Sequence, residues 1–304
     1  MQLKKTSPSV SVVICCHTEA RWELLMKAIR SVPVGAGTEL IVVVDHNQAL
    51  FGRLSAEEVP ARIVENMNER GPSGARNSGV KLAQGDVVAF LDDDASGRPG
   101  WLDVLLRAFE DPSVVVAGGS AWPLWEKSPA TWHPESFYWV FGCSWLGLPT
   151  QAAPVRNVIA ACMAIKRSAL ETLGGFRGPI YGEETELCIR AAALGLVVYL
   201  PECEVDHFVP SRRMSLRYFI SRCWTEGRSK AGVSVLVGAR PALSREVRHF
   251  PVMAREGLNS LSTFQFRRAG AVALGAATTT LGYMWGRGML LSGSKHRALR
   301  DRSE

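Results

Sequence analysis

No Cys-x-x-Cys pair occurs in this chain of 304 residues, and its seven cysteines are an odd set in which only Cys15 and Cys16 are adjacent. A disulfide framework is therefore not expected, and the thiols read as reduced and mostly buried in a cytoplasmic protein. There is no Gly-x-Gly-x-x-Gly turn and no Gly-x-x-x-x-Gly-Lys-Ser/Thr loop, which weighs against the commonest dinucleotide and P-loop folds. No internal repeat is visible. Near the start, Lys4 and Lys5 precede an apolar run that His17 and Glu19 interrupt, unlike a secretory signal. The body also lacks a charge excess. Residues 1–239 hold 24 Lys and Arg against 25 Asp and Glu, so the net charge of +6 comes from residues 240–304, with 11 against 4. No nucleic-acid face is expected on the body, whereas a basic tail suits an anionic surface such as a bilayer.

What is present is an ordinary globular composition, 47% apolar and 21% charged, in a length that holds one large domain or two smaller ones. Short apolar, β-branched runs at Val10–Cys16, 40–44, 61–64 and 87–91 read as strands. Between them, 23–32 has helical apolar spacing up to Pro33, and 73–83 reads as a helix with Ser73 as its N-cap. Strands alternating with helices imply a parallel sheet with helices on both faces, which binds ligands beyond the carboxyl ends of its strands. Asp45 and Asp92-Asp93-Asp94 sit at such ends. Further on, 158–165 and 197–200 read as strands, and 168–173, 183–194 and 216–230 as helices. Five of the nine tryptophans fall between Trp122 and Trp145. They read either as aromatic walls beside an acceptor or as a core beneath a long loop.

Three carboxylates after a buried strand repel one another, and a hard divalent cation would offset that repulsion; a solvated acidic turn is the alternative. Glu183 and Glu184 open a helix after Gly182, where the dipole favours ionised carboxylates. Arg212, Arg213, Arg217, Arg222, Trp224, Arg228 and Lys230 form a basic, aromatic cluster, or else an exposed helix face. Residues 269–286 carry no charge but include three Thr and four Gly. They could span a bilayer, lie in its surface, or pack as an ordinary helix.

The segments Ser11-Val-Val-Ile-Cys-Cys16, Leu40-Ile-Val-Val-Val-Asp45, Gly74-Ala-Arg-Asn-Ser-Gly79 and Phe90-Leu-Asp-Asp-Asp94, in that order and spacing, resemble the family-2 inverting nucleotide-sugar glycosyltransferases of GT-A fold. The later Gly182-Glu-Glu-Thr-Glu-Leu-Cys-Ile-Arg190 is similar to that family's acidic catalytic motif. The resemblance implies a domain over residues 9–232, followed by a basic, partly apolar helical tail over 233–304. It implies that Asp45 contacts the base or ribose, Arg76 holds the nucleotide, and Asp92 contacts ribose. Asp94 would ligate Mg²⁺ or Mn²⁺, Asp93 would be the variable middle residue, and His207 would add a ligand. Glu184 would be the catalytic base, with Glu183 and Glu186 as second choices. Arg222 and Trp224 would close over the diphosphate. Where the family commonly has Asp-Asp-Gly-Ser, this chain has Asp45-His46-Asn47. The implied function is transfer of a sugar from a UDP- or GDP-linked donor to a hydroxyl of a glycan or lipid-linked acceptor. The expected place is the cytoplasmic face of the cell membrane, as a peripheral protein. The alternative is a non-catalytic nucleotide-sugar sensor on the same fold. A nucleotidyltransferase fits poorly, because Cys15-Cys16-His17-Thr18-Glu19 stands where a Gly-rich basic loop is usual.

Overall fold

Alternate residues of a strand face opposite sides of its sheet. In β1 (Val10–Cys16), Val10, Val12, Ile14 and Cys16 enter one apolar layer and Val13 enters a second. Both layers are buried, so the strand reads as an unbroken apolar run. The computed structural model of the chain describes residues 8–178 and 182–300; the last four residues of the expected tail lie outside them. After β1 come α1 (Trp22–Arg30), β2 (Thr38–Val44), α2 (Gln48–Ser55), β3 (Arg62–Glu65), α3 (Pro72–Leu82) and β4 (Val87–Asp92). Then follow β5 (Ala95–Gly97), α4 (Trp101–Arg107), β6 (Val114–Trp125), β7 (Ala153–Pro154), β8 (Cys162–Lys166), α5 (Arg167–Leu173) and α6 (Glu183–Ala191). The chain ends with β9 (Leu196–Val209), α7 (Leu216–Val237), α8 (Ala239–Ser262) and α9 (Phe266–Arg300).

One sheet runs β3-β2-β1-β4-β8-β6-β9-β5, with β7 beside β9. Its first four strands are parallel, as the strand–helix alternation requires. Beyond β4 the sheet turns mixed: β8 is antiparallel to both β4 and β6, β6 and β9 are parallel, and β5 and β7 are antiparallel to β9. The parallel expectation thus holds for half the sheet. An antiparallel neighbour needs no helical crossover, and none of the named α-helices lies between β6 and β8. The strand expected over 197–200 continues past Pro201 to Val209. The register slips there, from Gly119 opposite Leu200 to Ser120 opposite Glu204, so a residue without an N–H falls where the ladder is interrupted. Ser73 is not the N-cap of α3. Gly71 takes that place at φ 120°, with Pro72 as the first helical residue.

The helix α7 runs unbroken across residue 232, where the sequence suggests that the tail begins. It packs closely along α9, and glycine is the reason. An ideal Cβ on Gly282 would stand 2.5 Å from the Trp224 carbonyl oxygen, one on Gly286 2.8 Å from the Ala231 Cβ, and one on Gly275 2.5 Å from the Phe137 ring. A Cβ on Gly227 of α7 would strike the Thr279 carbonyl oxygen. The charge-free stretch 269–286 therefore packs one face against α7, and no described helix is long and apolar enough to cross a membrane. Helix propensity alone favours Gly→Ala by about 1 kcal/mol. The contacts reverse that sign at Gly282, whereas a Cβ at Gly288 meets nothing within 4 Å. Gly282→Ala should lower the thermal unfolding midpoint and Gly288→Ala should hold or raise it. Equal rises in both would contradict the close α7–α9 contact.

Candidate active site

The register of β1 sets Cys15 opposite Asp92 and Cys16 opposite Val44, so the carboxyl ends of β1, β2 and β4 finish level. Asp45 follows directly, its amide donating to the Cys16 carbonyl at 2.7 Å. Its carboxylate accepts from Asn66 Nδ2 at 2.6 Å and from the Gly71 amide at 2.9 Å, and it meets His46 Nδ1 at 2.8 Å. Burial pushes the Asp45 pKa up, but these hydrogen bonds outweigh it and hold the group below its ordinary value. His46 takes the left-handed conformation at φ 52°, which turns the chain sharply at the strand tip.

Asp92 ends β4, and Asp94 immediately precedes β5. Pairing of β5 with β9 sets Ala95 opposite His207, and the Phe208 amide donates to the Asp94 carbonyl at 2.8 Å. That pairing carries a histidine distant in sequence to within 3.3 Å of Asp94 Oδ1. Among the described residues, Asp92, Asp94 and His207 each offer one ligand atom, all within 4.8 Å of one another. Two carboxylate oxygens and an imidazole nitrogen suit a small divalent cation such as Mg²⁺ or Mn²⁺. In this arrangement cations of the chain balance the acids. Arg21 lies 2.6 Å from Asp93 and 3.1 Å from Asp94, and Arg213 lies 3.7 Å from Asp94. Burial opposes charge on both Asp94 and His207, yet their mutual hydrogen bond pulls the first below its ordinary pKa and the second above it, and a bound cation would take the place of the His207 proton. Asp93 is pushed up to about 6 by burial, against the pull of Arg21, and its Oδ2 has no hydrogen-bond partner among the described residues.

Glu183 and Glu184 open α6 after Gly182, which is left-handed at φ 83°. Arg76, buried on α3, joins them to the strand tips: its Nη1 donates to Glu183 at 2.7 Å and its Nη2 to Asp92 at 3.5 Å. Glu184 is pushed up to about 8 by burial and by the charge of Glu183, with Arg76 opposing. Glu186 instead is fully buried and holds Arg190 and Arg177 at 2.7 and 3.2 Å, a structural role.

Glu184 borders a cavity of 460 Å³ enclosed by the segments 137–145 and 156–159, the start of α6 and the three C-terminal helices. Gly142 and Cys143, also in its wall, reach the other end of the acidic group, since Cys143 Sγ lies 3.7 Å from His207 Nδ1. Arg222 lines this cavity; Trp224 does not, and tilts against Trp285 with ring centroids 6.4 Å apart. The tryptophan-rich segment divides between a core and a cavity wall. Trp125, Trp132 and Trp139 pack on a core of Phe137, Phe141, Phe219 and Val272, and Trp139 and Trp145 line the cavity. Sequence reasoning missed Arg21, Arg156, Glu226, Arg245 and Glu246. Arg21 stands five residues beyond β1, whose register beside β4 sets Cys15 opposite Asp92. The other four carried no motif.

The Glycosyl transferase family 2 profile matches residues 11–174. Glucosyl-dolichyl phosphate glucuronosyltransferase of Haloferax volcanii is 30% identical over 243 residues, covering 75% of this chain and 78% of that protein. Pre-mycofactocin glycosyltransferase of Mycobacterium tuberculosis is 32% identical over 181 residues, 57% of this chain and 37% of that one. The fold is similar to that of the mannosyltransferase PcManGT of Pyrobaculum calidifontis, solved with GDP-Man and Mn²⁺, with a TM-score of 0.59 at 18% identity over 94% of this chain and 87% of the other. The arrangement is thus the GT-A fold. By the extent of the profile match and of the shared sequence, the chain is a glycosyltransferase and belongs to glycosyl transferase family 2.

Proposed function

We propose that the protein is an inverting transferase that moves a sugar from a nucleoside diphosphate to a hydroxyl of a lipid-linked acceptor at a membrane surface. One observation carries the mechanism: Glu184, with its raised proton affinity, borders the cavity while its neighbour Glu183 is tied through Arg76 to Asp92. Glu184 takes the proton of the acceptor hydroxyl. The oxygen attacks the anomeric carbon from the face opposite the diphosphate, a new C–O bond forms, and the bond to the diphosphate oxygen breaks with its electron pair. The products are an inverted glycoside and a nucleoside diphosphate, and the proton on Glu184 passes to water. Asp45 and Arg76 hold the nucleotide, and Arg222 approaches the diphosphate from α7. Asp92, Asp94 and His207 would hold Mg²⁺ or Mn²⁺, which would offset the charge building on the leaving diphosphate.

The membrane clause rests on the C-terminal helices. Phe250, Leu258, Phe264, Phe266, Met284 and Trp285 are exposed there, interleaved with exposed Arg240, Arg248, Arg255 and Arg267. Apolar side chains flanked by arginine suit the headgroup boundary of an anionic bilayer. The dolichyl phosphate compound named for the Haloferax volcanii relative supports a lipid-linked acceptor.

Glu184→Gln should lower turnover by about 10²–10⁴-fold while calorimetry still registers donor binding. For the wild type, the rate should climb with pH until Glu184 is ionised, near pH 8, and then level, because only the carboxylate accepts a proton. A flat profile from pH 6 to 9 would remove Glu184 as the base. Asp94→Asn, or a chelator with the wild type, should weaken donor binding; equal affinity with and without Mn²⁺ would refute the metal assignment. Phe264→Ser with Phe266→Ser should reduce co-sedimentation with anionic vesicles, and added salt should reduce it further; binding unchanged by both would remove the membrane clause.

A further inference from the structure

The cavity beside Glu184 carries charges that proton transfer does not use. Arg156, Arg222, Lys230 and Arg245 line it, opposed by Glu226 and Glu246 besides Glu184 itself. Both of those carboxylates are already engaged. Lys230 lies against Glu226 and 3.4 Å from Glu246, and Arg156 lies 2.7 Å from Glu246. Burial alone would push both acids up, but the nearby cations, Lys230 foremost, hold them below the ordinary carboxylate range. Arg245 forms no ion pair among the described residues. Its Nη1 donates to the Asn157 carbonyl and side-chain oxygens at 3.3 and 3.0 Å, and its guanidinium lies 4.1 Å over the Trp145 ring. All these partners are neutral. Burial and the charge of Arg156 push Arg245 down to about 9, with the charges of Glu246 and Glu226 opposing.

Phe137, Val158, Leu243, Phe250, Met253 and Tyr283 add an apolar share to the wall, beside the polar Asn157, Thr185, His249, Thr279 and Thr280. Phe250 is 62% exposed, so the cavity reaches the outer apolar face of α8. A cavity that holds cationic groups together with an apolar wall and an exposed phenylalanine matches a molecule that is a phosphate at one end and a hydrocarbon at the other. We infer that this cavity seats a phosphate ester of an apolar lipid, with its phosphate against Arg245, Arg156 and Lys230 and its chain leaving past Phe250. The guanidinium fork suits phosphate oxygens, and the Trp145 face holds that fork in place. The inference rests on the transferase reading, because Glu184 borders the same space. It adds that the acceptor is recognised by its phosphate as well as by its hydroxyl.

The test is calorimetry on the full chain with three probes: farnesyl phosphate, farnesol and inorganic phosphate. Farnesyl phosphate should bind at least about tenfold more tightly than either of the others, since a hydrogen bond to a charged group is worth roughly that much. Arg245→Gln should remove most of that advantage without changing farnesol binding or the binding of UDP or GDP with Mn²⁺. Arg245→Lys should restore part of it, and Lys230→Gln supplies an independent loss should Arg245→Gln fail to fold. Farnesyl phosphate binding no tighter than farnesol, or unaffected by these variants, would overturn the inference. Inorganic phosphate binding as tightly as farnesyl phosphate would do so too, by pointing to a free anion. Loss of turnover in Glu184→Gln with the lipid-phosphate preference intact supports the site. Wild-type turnover together with no lipid-phosphate preference would remove the site and leave the transferase standing.

Discussion

A buried guanidinium, that of Arg76, stands between Asp92 at the strand tips and Glu183 at the start of α6, and the acidic centre depends on it. Carboxylates that share a dry space raise one another's pKa until some are neutral. Arg76 offsets that repulsion for Asp92 and Glu183 together, and the two halves of the fold that supply them are thereby held at one distance. Removing one partner of such a buried pair typically costs about 3–5 kcal/mol, because the other charge is left without compensation. Asp93 and Asp94 are balanced in the same way by Arg21, Arg213 and His207. Glu184 stands apart from this pattern. It forms no ion pair with a guanidinium among the described residues, and its proton affinity rises further than that of Asp93. The proposed mechanism needs that contrast: a carboxyl poised near neutrality beside carboxyl groups paired with guanidinium.

The first half of the sheet was legible in the sequence, because β1, β2 and β4 are short and largely apolar, and β2 and β4 run straight into an acid. Asp45, Asp92 and Asp94 come directly after buried strands, so local pattern and sheet topology give the same answer for them. The second half was less legible, for a different reason at each element. The strand β9 runs through Pro201 because a register slip removes the need for that residue's N–H. Gly71 displaced Ser73 as the cap of α3 because the chain enters that helix at a positive φ that a serine does not readily adopt. His207 meets Asp94 only through the pairing of β5 with β9, which a three-residue strand such as Ala95–Gly97 scarcely announces. Arg156 and Arg245 come from a loop and a distant helix, and no spacing rule links them.

The charge excess of the C-terminal residues divides when it is followed into the fold. Arg245 turns to the cavity, and Arg268 lies 2.8 Å from Glu256 and 3.0 Å from Glu135, which ties α8 and α9 to the segment at Glu135. The exposed arginines at 240, 248, 255 and 267 remain on the outside, beside exposed aromatic and aliphatic side chains. Counting charge along a sequence cannot make this distinction, since it weighs an inward guanidinium and an outward one alike. Apolar content is divided in the same way. The stretch 269–286 has enough of it to suggest a membrane, but Gly282 and Gly286 face α7 and bring two backbones into contact. Its larger side chains, Leu281, Met284 and Trp285, face outward. One helix thus completes a protein interior with its small residues and offers an amphiphilic surface with its large ones. The cavity is lined from both α8 and α9 and includes the exposed Phe250, so on the proposed reading a lipid resting against the outer face would pass its phosphate by Phe250 to Arg245.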